Sequence, residues 1–219
     1  MITIVLTWLP FPLDFLSKHY WLNPLRMKMK RDPIDIIPYQ EIWLKQFEQA
    51  KKDLSFALGT LAVCIEHIGS TAIQNMPSKD RIDIQIGVKE VSDEVCEVIN
   101  AALQDFGFSS AYLSEDHLPP SESDENEWKK IYLQGVTHRW RFKANIHIRR
   151  VGAKNYKYAL LFRDFLRNHP ESATAYARLK QSLSKHTRFD RDAYCEIKDP
   201  VCDLIMINAR IWEKSQSQA

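Results

Sequence analysis

The sequence predicts an α+β fold, with a mixed or antiparallel sheet flanked by helices and further helices at the C-terminal end. Two segments, 81–88 and 139–150, alternate apolar and polar residues in the way of half-buried strands. Apolar residues recur at helical spacing in 41–58, in 91–106 and in most of the chain after residue 157. A chain of 219 residues can bury one core and carry a helical appendage.

Three regions are predicted along the chain. Residues 31–150 form an α+β core, and residues 151–219 form a helical region packed on it. Residues 1–30 form an N-terminal extension, and its apolar start at residues 1–15 lacks the leading basic residues of a signal peptide and is shorter than a membrane-spanning helix. This extension either packs on the domain or lies upstream of a true start at Met27 or Met29.

Composition excludes several classes of protein. The 45% hydrophobic and 26% charged residues are ordinary for a folded domain and argue against a disordered or membrane protein. A net charge of +2 is far below that of most nonspecific nucleic-acid binders, so a nucleic-acid partner is not expected. The four cysteines have no zinc-ligand spacing and are predicted to be reduced thiols in the cytoplasm. They are Cys64, Cys96, Cys195 and Cys202.

The predicted elements of the N-terminal half begin with an amphipathic helix at 41–58. A strand at 61–68 follows, because this segment is rich in β-branched and apolar residues, and it ends at Gly69. The small residues 70–72 predict the start of a second helix. The strand at 81–88 should then have one buried face and one polar face.

A helix at 91–106 is predicted next, with Ser92 as its N-cap. The polar stretch 114–127 is predicted to be a loop. Two antiparallel strands, 128–133 and 139–150, should follow it.

The C-terminal region is predicted to be helical over 158–168, 170–185 and from residue 190 onward. Pro200 lies inside the last of these segments. Because proline lacks the amide proton and clashes with the preceding turn, we expect a kink or a break there.

The strongest local signal is Gly69-Ser70-Thr71 at the end of a predicted buried strand. A glycine there lets the backbone approach a ligand closely, and amides at a helix start can bind phosphate. The alternative is an ordinary turn in which Ser70 or Thr71 caps a helix.

The next strand strengthens the functional interpretation, because Asp83 lies on its polar face and needs a partner there. A strand, a Gly-Ser turn and then an acidic strand is the order used by polymerase-β-type nucleotidyltransferases. In those enzymes, strand carboxylates hold Mg²⁺ against a nucleoside triphosphate. A salt bridge or a cap remains the alternative role for Asp83.

Several spaced blocks also resemble the signature blocks of the GrpB family, a group of bacterial proteins in the nucleotidyltransferase superfamily. The resemblance extends from about residue 37 to about residue 212. The blocks are IEHIGSTAI, RIDIQIGV, NIHIRR, LFRDFLRNHP, AYARLK and AYCEIK.

The resemblance implies a set of site residues. The implied catalytic residues are Asp83, His67 and His147. Cationic and aromatic side chains on helices facing a cleft suit phosphate tails and bases. The implied phosphate-binding or nucleotide-binding residues are Gly69, Ser70, Thr71, Lys79, Arg163, Arg167, Tyr176, Lys180 and Lys198.

This chain departs at two places from the family pattern and at a third from that of active nucleotidyltransferases. The Asp-x-Asp/Glu pair that active nucleotidyltransferases use for two metal ions is here Asp83 and Gln85, so Mg²⁺ would be held by one carboxylate and a glutamine oxygen. Asn75 lies where the family has glycine, and asparagine is the other residue that readily adopts a left-handed turn. The family's Lys-Pro pair is here Lys79 and Asp80.

Other roles remain open for these residues. His67, Asp83 and His147 could together hold one transition metal or exchange protons, or each histidine could be a packed strand residue. Arg163 and Arg167, with the intervening Asp164, could instead join the helices to the sheet. Lys180 and Lys198 could be solvated helix lysines.

Two functions from different classes therefore compete. The first is metal-dependent nucleotidyl transfer, and the second is a binding module for a nucleotide or another phosphorylated metabolite without turnover. A weaker third option is an RNA-associated protein with Trp128 and Trp140 on its contact face. P-loop kinase chemistry is disfavoured, because the sequence has no GxxxxGK[ST] stretch.

Overall fold

A computed structural model describes residues 33–136 and 139–217, so the extension predicted for residues 1–30 lies outside the described part. The described residues contain one five-stranded sheet in the order β1-β2-β5-β4-β3. Strands β2 and β5 are parallel, and the other three neighbouring pairs are antiparallel. The strands are β1 (Cys64–Ile68), β2 (Ile82–Val88), β3 (Tyr112–Glu115), β4 (Lys129–Val136) and β5 (Lys143–Arg150).

Five α-helices flank this sheet in the described residues, and three of them form the predicted C-terminal group. The predicted α+β class, with a mixed sheet and C-terminal helices, is confirmed. No described helix has the length and apolar character needed to cross a bilayer. The helices are α1 (Ile42–Leu58), α2 (Asp93–Leu103), α3 (Lys154–Asn168), α4 (Pro170–His186) and α5 (Arg191–Gln216).

One face of the sheet is apolar and forms the main core with α1 and α2. Alternation along β2 and β5 puts every second residue on this face, and the in-register pair Ile84 and Ile146 shows how the two strands align. Trp43, Leu54 and Ile99 pack against it from the two helices and are 0% exposed. Burial of this surface supplies most of the hydrophobic stabilisation.

The other face carries the polar members of the same strands. Asp83 aligns with Asn145, and Gln85 aligns with His147, so these four side chains share one side of the sheet. Helices α3, α4 and α5 cover this side with a separate core that includes Phe165. The polar residues therefore lie between the sheet and the C-terminal helices.

Three predicted boundaries are wrong in instructive ways. The segment 114–127 is not all loop, because β3 pairs with β4 over Tyr112–Glu115 and a short 3₁₀ helix covers Glu125–Trp128. Strand β4 extends to Val136, beyond the predicted end at residue 133. Pairing with β5 keeps this strand extended beyond its apolar run.

Of the kink or break expected at Pro200, the break does not occur, because α5 is one helix from Arg191 to Gln216 with Pro200 inside it. Pro200 and Glu196, whose carbonyl loses its helical partner, are both exposed. Water can satisfy that carbonyl, so the helix tolerates the proline on its outer side.

Candidate functional site

A cavity of about 320 Å³ lies between the polar face of the sheet and the C-terminal helices. Ser70, Asp83 and His147 all line it, which is the convergence that a functional interpretation of these residues requires. Its volume is at the lower end of the range for small-molecule sites. The other candidate residues that line it are Gly69, Lys79, Tyr176, Lys180 and Lys198.

Gly69 shapes the wall of the cavity beside Asp83. It has φ 69° and ψ −170°, a conformation almost restricted to glycine. A Cβ atom added here would lie 2.4 Å from Asp83 Oδ2. The following Ser70–Ala72 is a single 3₁₀ turn, not the helix start that the sequence predicted. The glycine is thus required both by its conformation and by the neighbouring carboxylate.

Asp83 is held by its strand neighbours and keeps one side open to the cavity. Its Oδ1 accepts a hydrogen bond of 2.7 Å from Asn145 Nδ2 and lies 3.7 Å from His147 Nε2. Burial acts to raise the pKa of Asp83, but His147, Asn145 and the nearby Lys79 outweigh burial and leave the pKa below its usual value. Asp83 is therefore ionised at neutral pH.

His147 is a neutral partner for that carboxylate. Arg149 Nη2 lies 3.5 Å from His147 Nδ1 and can only donate, which assigns the imidazole proton to Nε2 on the side of Asp83. Burial lowers the pKa of His147, and Arg149 and Lys130 add to this effect, although Asp83 opposes it. This tautomer can donate to Asp83 or to a ligand in the cavity.

Lys180 links the C-terminal helices to the Gly69 turn. Its Nζ donates to Ser70 Oγ at 2.7 Å and to the carbonyl oxygen of Pro77 at 2.6 Å. Lys180 is 3% exposed, and burial lowers its pKa to about 7. It is not the solvated lysine that was considered as an alternative. A bound anion would favour its charged form.

Other cationic groups complete a basic wall. Lys79 Nζ lies 4.3 Å from the centre of the Tyr194 ring, and burial lowers the pKa of this lysine. Lys198 Nζ donates to Asp199 Oδ1 at 2.5 Å, and although burial opposes it, the pKa of Lys198 is raised by Cys202 and Asp199. The wall also includes Arg81.

His67 and Thr71 do not join this cluster. His67 aligns with Ile84 on the apolar face, stacks on Phe47 at 4.7 Å and hydrogen-bonds Thr71 Oγ1 at 3.0 Å. Burial lowers the pKa of His67 to about 4. The idea of a metal held by His67, Asp83 and His147 is therefore wrong, since the sheet separates His67 from the other two.

Gln85 is engaged with the protein on both sides of its amide. Its Oε1 accepts from Arg149 Nη1 at 2.5 Å, and its Nε2 donates to the carbonyl oxygen of Tyr156 at 3.3 Å. A cation at this oxygen would face the guanidinium of Arg149. Among the described residues, no group of three or more His, Cys, Asp or Glu side chains could hold a metal ion. These residues do not fit a two-ion Mg²⁺ site.

Arg163 and Arg167 lie outside the cavity and join α3 to the sheet. Arg163 Nη1 donates to Glu66 Oε2 at 3.0 Å and to the carbonyl oxygen of His67 at 2.9 Å. Arg167 Nη2 donates to the carbonyl oxygen of Ala72 at 2.7 Å. The structural alternative considered for this pair agrees with these contacts.

Two lining residues that the sequence did not single out are Asp116 and Asn155. Asp116 accepts from Lys130 at 2.5 Å and from Arg149 Nε at 2.7 Å. Burial opposes the effect, but Arg149 and Lys130 hold the pKa of Asp116 well below its usual range. Both residues lie in stretches without periodicity or motif, so no local signal marks them. Trp128 also lines the cavity and is 3% exposed, which removes it from the predicted RNA contact face.

Comparison with known proteins gives consistent family matches. Residues 33–208 match the family described as GrpB protein. The UPF0157 protein YqkA of Bacillus subtilis is 30% identical over 186 residues, which cover 85% of this chain and 50% of that protein. A dephospho-CoA kinase of Mycolicibacterium paratuberculosis is 30% identical over 190 residues, or 79% of this chain and 45% of the kinase.

A solved structure agrees with this assignment. The crystal structure of the conserved protein GrpB from Enterococcus faecalis matches with a TM-score of 0.64 and 25% identity, over 81% of this chain and 99% of that one. The chain spans about half the length of the first two curated relatives it matches.

Proposed function

This chain belongs to the GrpB family, and we propose that it binds a nucleotide or another phosphorylated small molecule in the cavity beside Gly69 and Asp83. The observation that carries this proposal is the contact between Lys180 Nζ and Ser70 Oγ inside a cavity with a basic wall. A buried ammonium and a hydroxyl at a tight glycine turn suit a phosphate group.

The balance of charge supports an anionic ligand. Of the cavity's acidic groups, Asp116 is paired with Arg149, and Asp199 is paired with Lys198. Asp83 then faces Lys79, Arg81 and Lys180, so the remaining wall is net positive when Lys180 is protonated. Three cations close together, with Lys180 buried and Lys79 and Arg81 half-buried, are costly without a bound anion. The lowered pKa of Lys180 agrees with that cost.

Calorimetry with inorganic phosphate, ribose 5-phosphate, and nucleoside mono- and triphosphates tests the proposal. We expect saturable binding that Lys180→Met weakens by roughly tenfold to a hundredfold, the loss typical of a charged hydrogen bond. Lys185→Met is the matched control, because Lys185 is an exposed lysine on the same helix. If no phosphorylated compound binds the wild-type protein at millimolar concentration, the proposal fails.

Metal-dependent nucleotidyl transfer is a second candidate, favoured by one observation. Asp83 is ionised and presents Oδ2 beside the Gly69 turn, where it could meet a single Mg²⁺ carried by a triphosphate. Asp83 would then position the ion, and the basic wall would neutralise the phosphates. Incubation with each nucleoside triphosphate and Mg²⁺ or Mn²⁺ decides this candidate, and the absence of any transferred or released product would remove it.

Kinase activity is not proposed from the mycobacterial relatives. The match covers less than half of the Mycolicibacterium protein. The P-loop stretch on which phosphate transfer by many kinases depends is missing from this sequence.

We also propose a cytoplasmic location for the protein. The four cysteines are free thiols, which supports this proposal.

A further inference from the structure

Ser70 and Lys180 form a close pair at the Gly69 turn. The 2.7 Å between Lys180 Nζ and Ser70 Oγ is within the hydrogen-bond reach that a serine nucleophile needs from its base. Both residues line the cavity, and Ser70 is only half-buried, so a ligand in the cavity can approach its side chain. The Ser-Lys variant of the catalytic triad shows that lysine can serve as that base.

A second contact holds Lys180 in an orientation that suits a base. Its Nζ donates to the carbonyl oxygen of Pro77 at 2.6 Å, and neither Pro77 nor Ser70 carries a charge there. A neutral amine has two N–H groups and one lone pair. Lys180 can therefore donate to Pro77 and accept the hydroxyl proton of Ser70 with its lone pair. The backbone carbonyl of Pro77 takes the place of the third group that orients the base.

The surroundings of Lys180 favour this neutral amine. Burial is the largest effect and lowers the pKa of Lys180 to about 7. Two neighbouring lysines lower the pKa further, whereas an aspartate and a cysteine oppose them. The groups that face Lys180 from the surrounding elements are Lys79, Asp83, Tyr176, Lys198 and Cys202. Above neutral pH most of Lys180 is therefore deprotonated and able to accept a proton.

We propose that Ser70 is a nucleophile activated by Lys180, and that the protein transfers the acyl group of an ester through a covalent acyl-serine. This activity goes beyond the proposed function and does not depend on it. A bound phosphate would hold Lys180 in its charged, inactive form, whereas an uncharged ester leaves it neutral. Lys79 and Arg81 line the same cavity and can offset the negative charge that develops on the carbonyl oxygen.

The reaction needs no group beyond the ester and water. The Ser70 oxygen attacks the carbonyl carbon, and the hydroxyl proton moves to Lys180 Nζ. Lys180 returns this proton to the leaving oxygen as the C–O bond of the ester breaks, which releases an alcohol and leaves the acyl group on Ser70. Water then attacks the acyl carbon with the same help from Lys180, so a carboxylic acid leaves and the Ser70 hydroxyl is restored.

An alkyl fluorophosphonate tests the nucleophile, because it bonds to an activated serine oxygen with loss of fluoride. We expect peptide mass spectrometry to locate one adduct, on Ser70, and Ser70→Ala to abolish it. Lys180→Met should slow labelling by about a hundredfold or more, the contribution typical of a general base. Lys185→Met is the matched control, because Lys185 is an exposed lysine on the same helix. Equal labelling rates in the wild type and Lys180→Met would overturn the proposal.

The pH dependence of labelling in the wild-type protein does not depend on how well a variant folds. The labelling rate should rise as pH increases through about 7 and then level off, because the reactive form contains neutral Lys180. Hydrolysis of p-nitrophenyl acetate should follow the same profile and be lost in Ser70→Ala. A labelling rate that rises in proportion to hydroxide concentration without a plateau would mean that no base assists Ser70, and the proposal would be wrong.

The same measurements separate this proposal from the proposed function. If phosphorylated compounds bind but Ser70 is not labelled at any pH, the nucleophile is excluded and the proposed function stands. If Ser70 is labelled with the expected plateau but no phosphorylated compound binds, the nucleophile stands and the proposed function fails.

Discussion

Gly69 shows how one residue determines the geometry of the cavity. Its positive φ turns the chain sharply after β1, and the absence of a Cβ leaves room for the Asp83 carboxylate. Asp83 then keeps its hydrogen bond to Asn145 while its other oxygen lies against the turn. The Gly-Ser signal in the sequence therefore has a steric origin that depends on the next strand.

Substitution of Gly69 by alanine separates conformational strain from contact with Asp83. Gly59 also has a positive φ, of 52°, but nothing lies within 4 Å of a Cβ added there. Both alanine variants should pay about 1–3 kcal/mol for backbone strain. Gly69→Ala should lose about 1–3 kcal/mol more, because it displaces the half-buried Asp83 from its hydrogen bond with Asn145. Urea unfolding of both variants measures this, and equal losses would show that Asp83 adjusts freely.

Lys180 gives the protein a distinct dependence of stability on pH. Its pKa is about 7 in the folded protein, against 10.5 for an unperturbed lysine. Between these values the unfolded chain holds a proton that the folded protein lacks, so this group makes the free energy of unfolding increase as pH rises. Below about pH 7 both states are protonated, and the cost of burying the charge is at its full value.

Comparison of the wild-type protein with Lys180→Met isolates this contribution. Between pH 7.5 and 9.5, the difference in unfolding free energy should change in favour of the wild type by about 1.4 kcal/mol per pH unit. Urea unfolding at several pH values measures the change. Lys185→Met should show no such trend, because Lys185 is exposed. Parallel curves for the wild type and Lys180→Met would mean that Lys180 is charged throughout this range.

At the scale of elements, strand alternation predicted which side chains of β2 and β5 lie on the polar face, but it did not predict the face on which His67 of β1 lies. In β2 and β5, isoleucines and polar residues alternate strictly, so Asp83 and His147 were correctly assigned to one face. In β1, Ile65 and Ile68 are both buried although they face opposite sides, so alternation cannot show which side His67 takes. Pairing with β2 settles it, and pairing is a property of the sheet rather than of local sequence.

Side-chain contacts between distant elements were the least predictable part of the site. Asn75 was expected to take a left-handed turn from its type alone, and its φ of 62° confirms this. The engagement of Gln85 by Arg149, by contrast, depends on residues 64 positions apart. Asp116, Trp128 and Asn155 meet only because β3, β4 and α3 pack together, and no local pattern specifies that arrangement.

The attachment of α3 to β1 and the Gly69 turn predicts what loss of Arg163 would do. Arg163→Gln removes contacts to Glu66 and to the carbonyl oxygen of His67, so we expect a loss of about 2–3 kcal/mol in stability. Affinity for the tightest phosphorylated ligand should change less than about threefold, because Arg163 does not line the cavity. Arg178→Gln, at an exposed site on α4, is the control. If Arg163→Gln weakened ligand binding without lowering the free energy of unfolding, Arg163 would belong to the phosphate site after all.

At the scale of the whole molecule, the sheet separates the main apolar core from the cavity proposed to bind a ligand. Its apolar face packs on α1 and α2 in the main core, whereas its polar face and the C-terminal helices enclose the cavity. Most polar side chains at the base of the cavity already have protein partners, and these partners are mainly cationic or neutral. Such an environment favours holding an anion in place over assembling two divalent cations.

The arrangement around Gln85 makes this distinction testable, because Gln85→Asp restores the second carboxylate in sequence. In the structure, that carboxylate would lie beside Arg149 Nη1, which now bonds the glutamine oxygen. We expect it to form an ion pair with Arg149, so Gln85→Asp should gain no Mg²⁺-dependent or Mn²⁺-dependent turnover of nucleoside triphosphates. Product analysis after incubation with each triphosphate measures this. If turnover appeared in Gln85→Asp and disappeared in the double variant that also carries Asp83→Asn, the protein would instead be a weakened two-ion enzyme. The new carboxylate would then bind a metal ion, and Arg149 would have moved away from it.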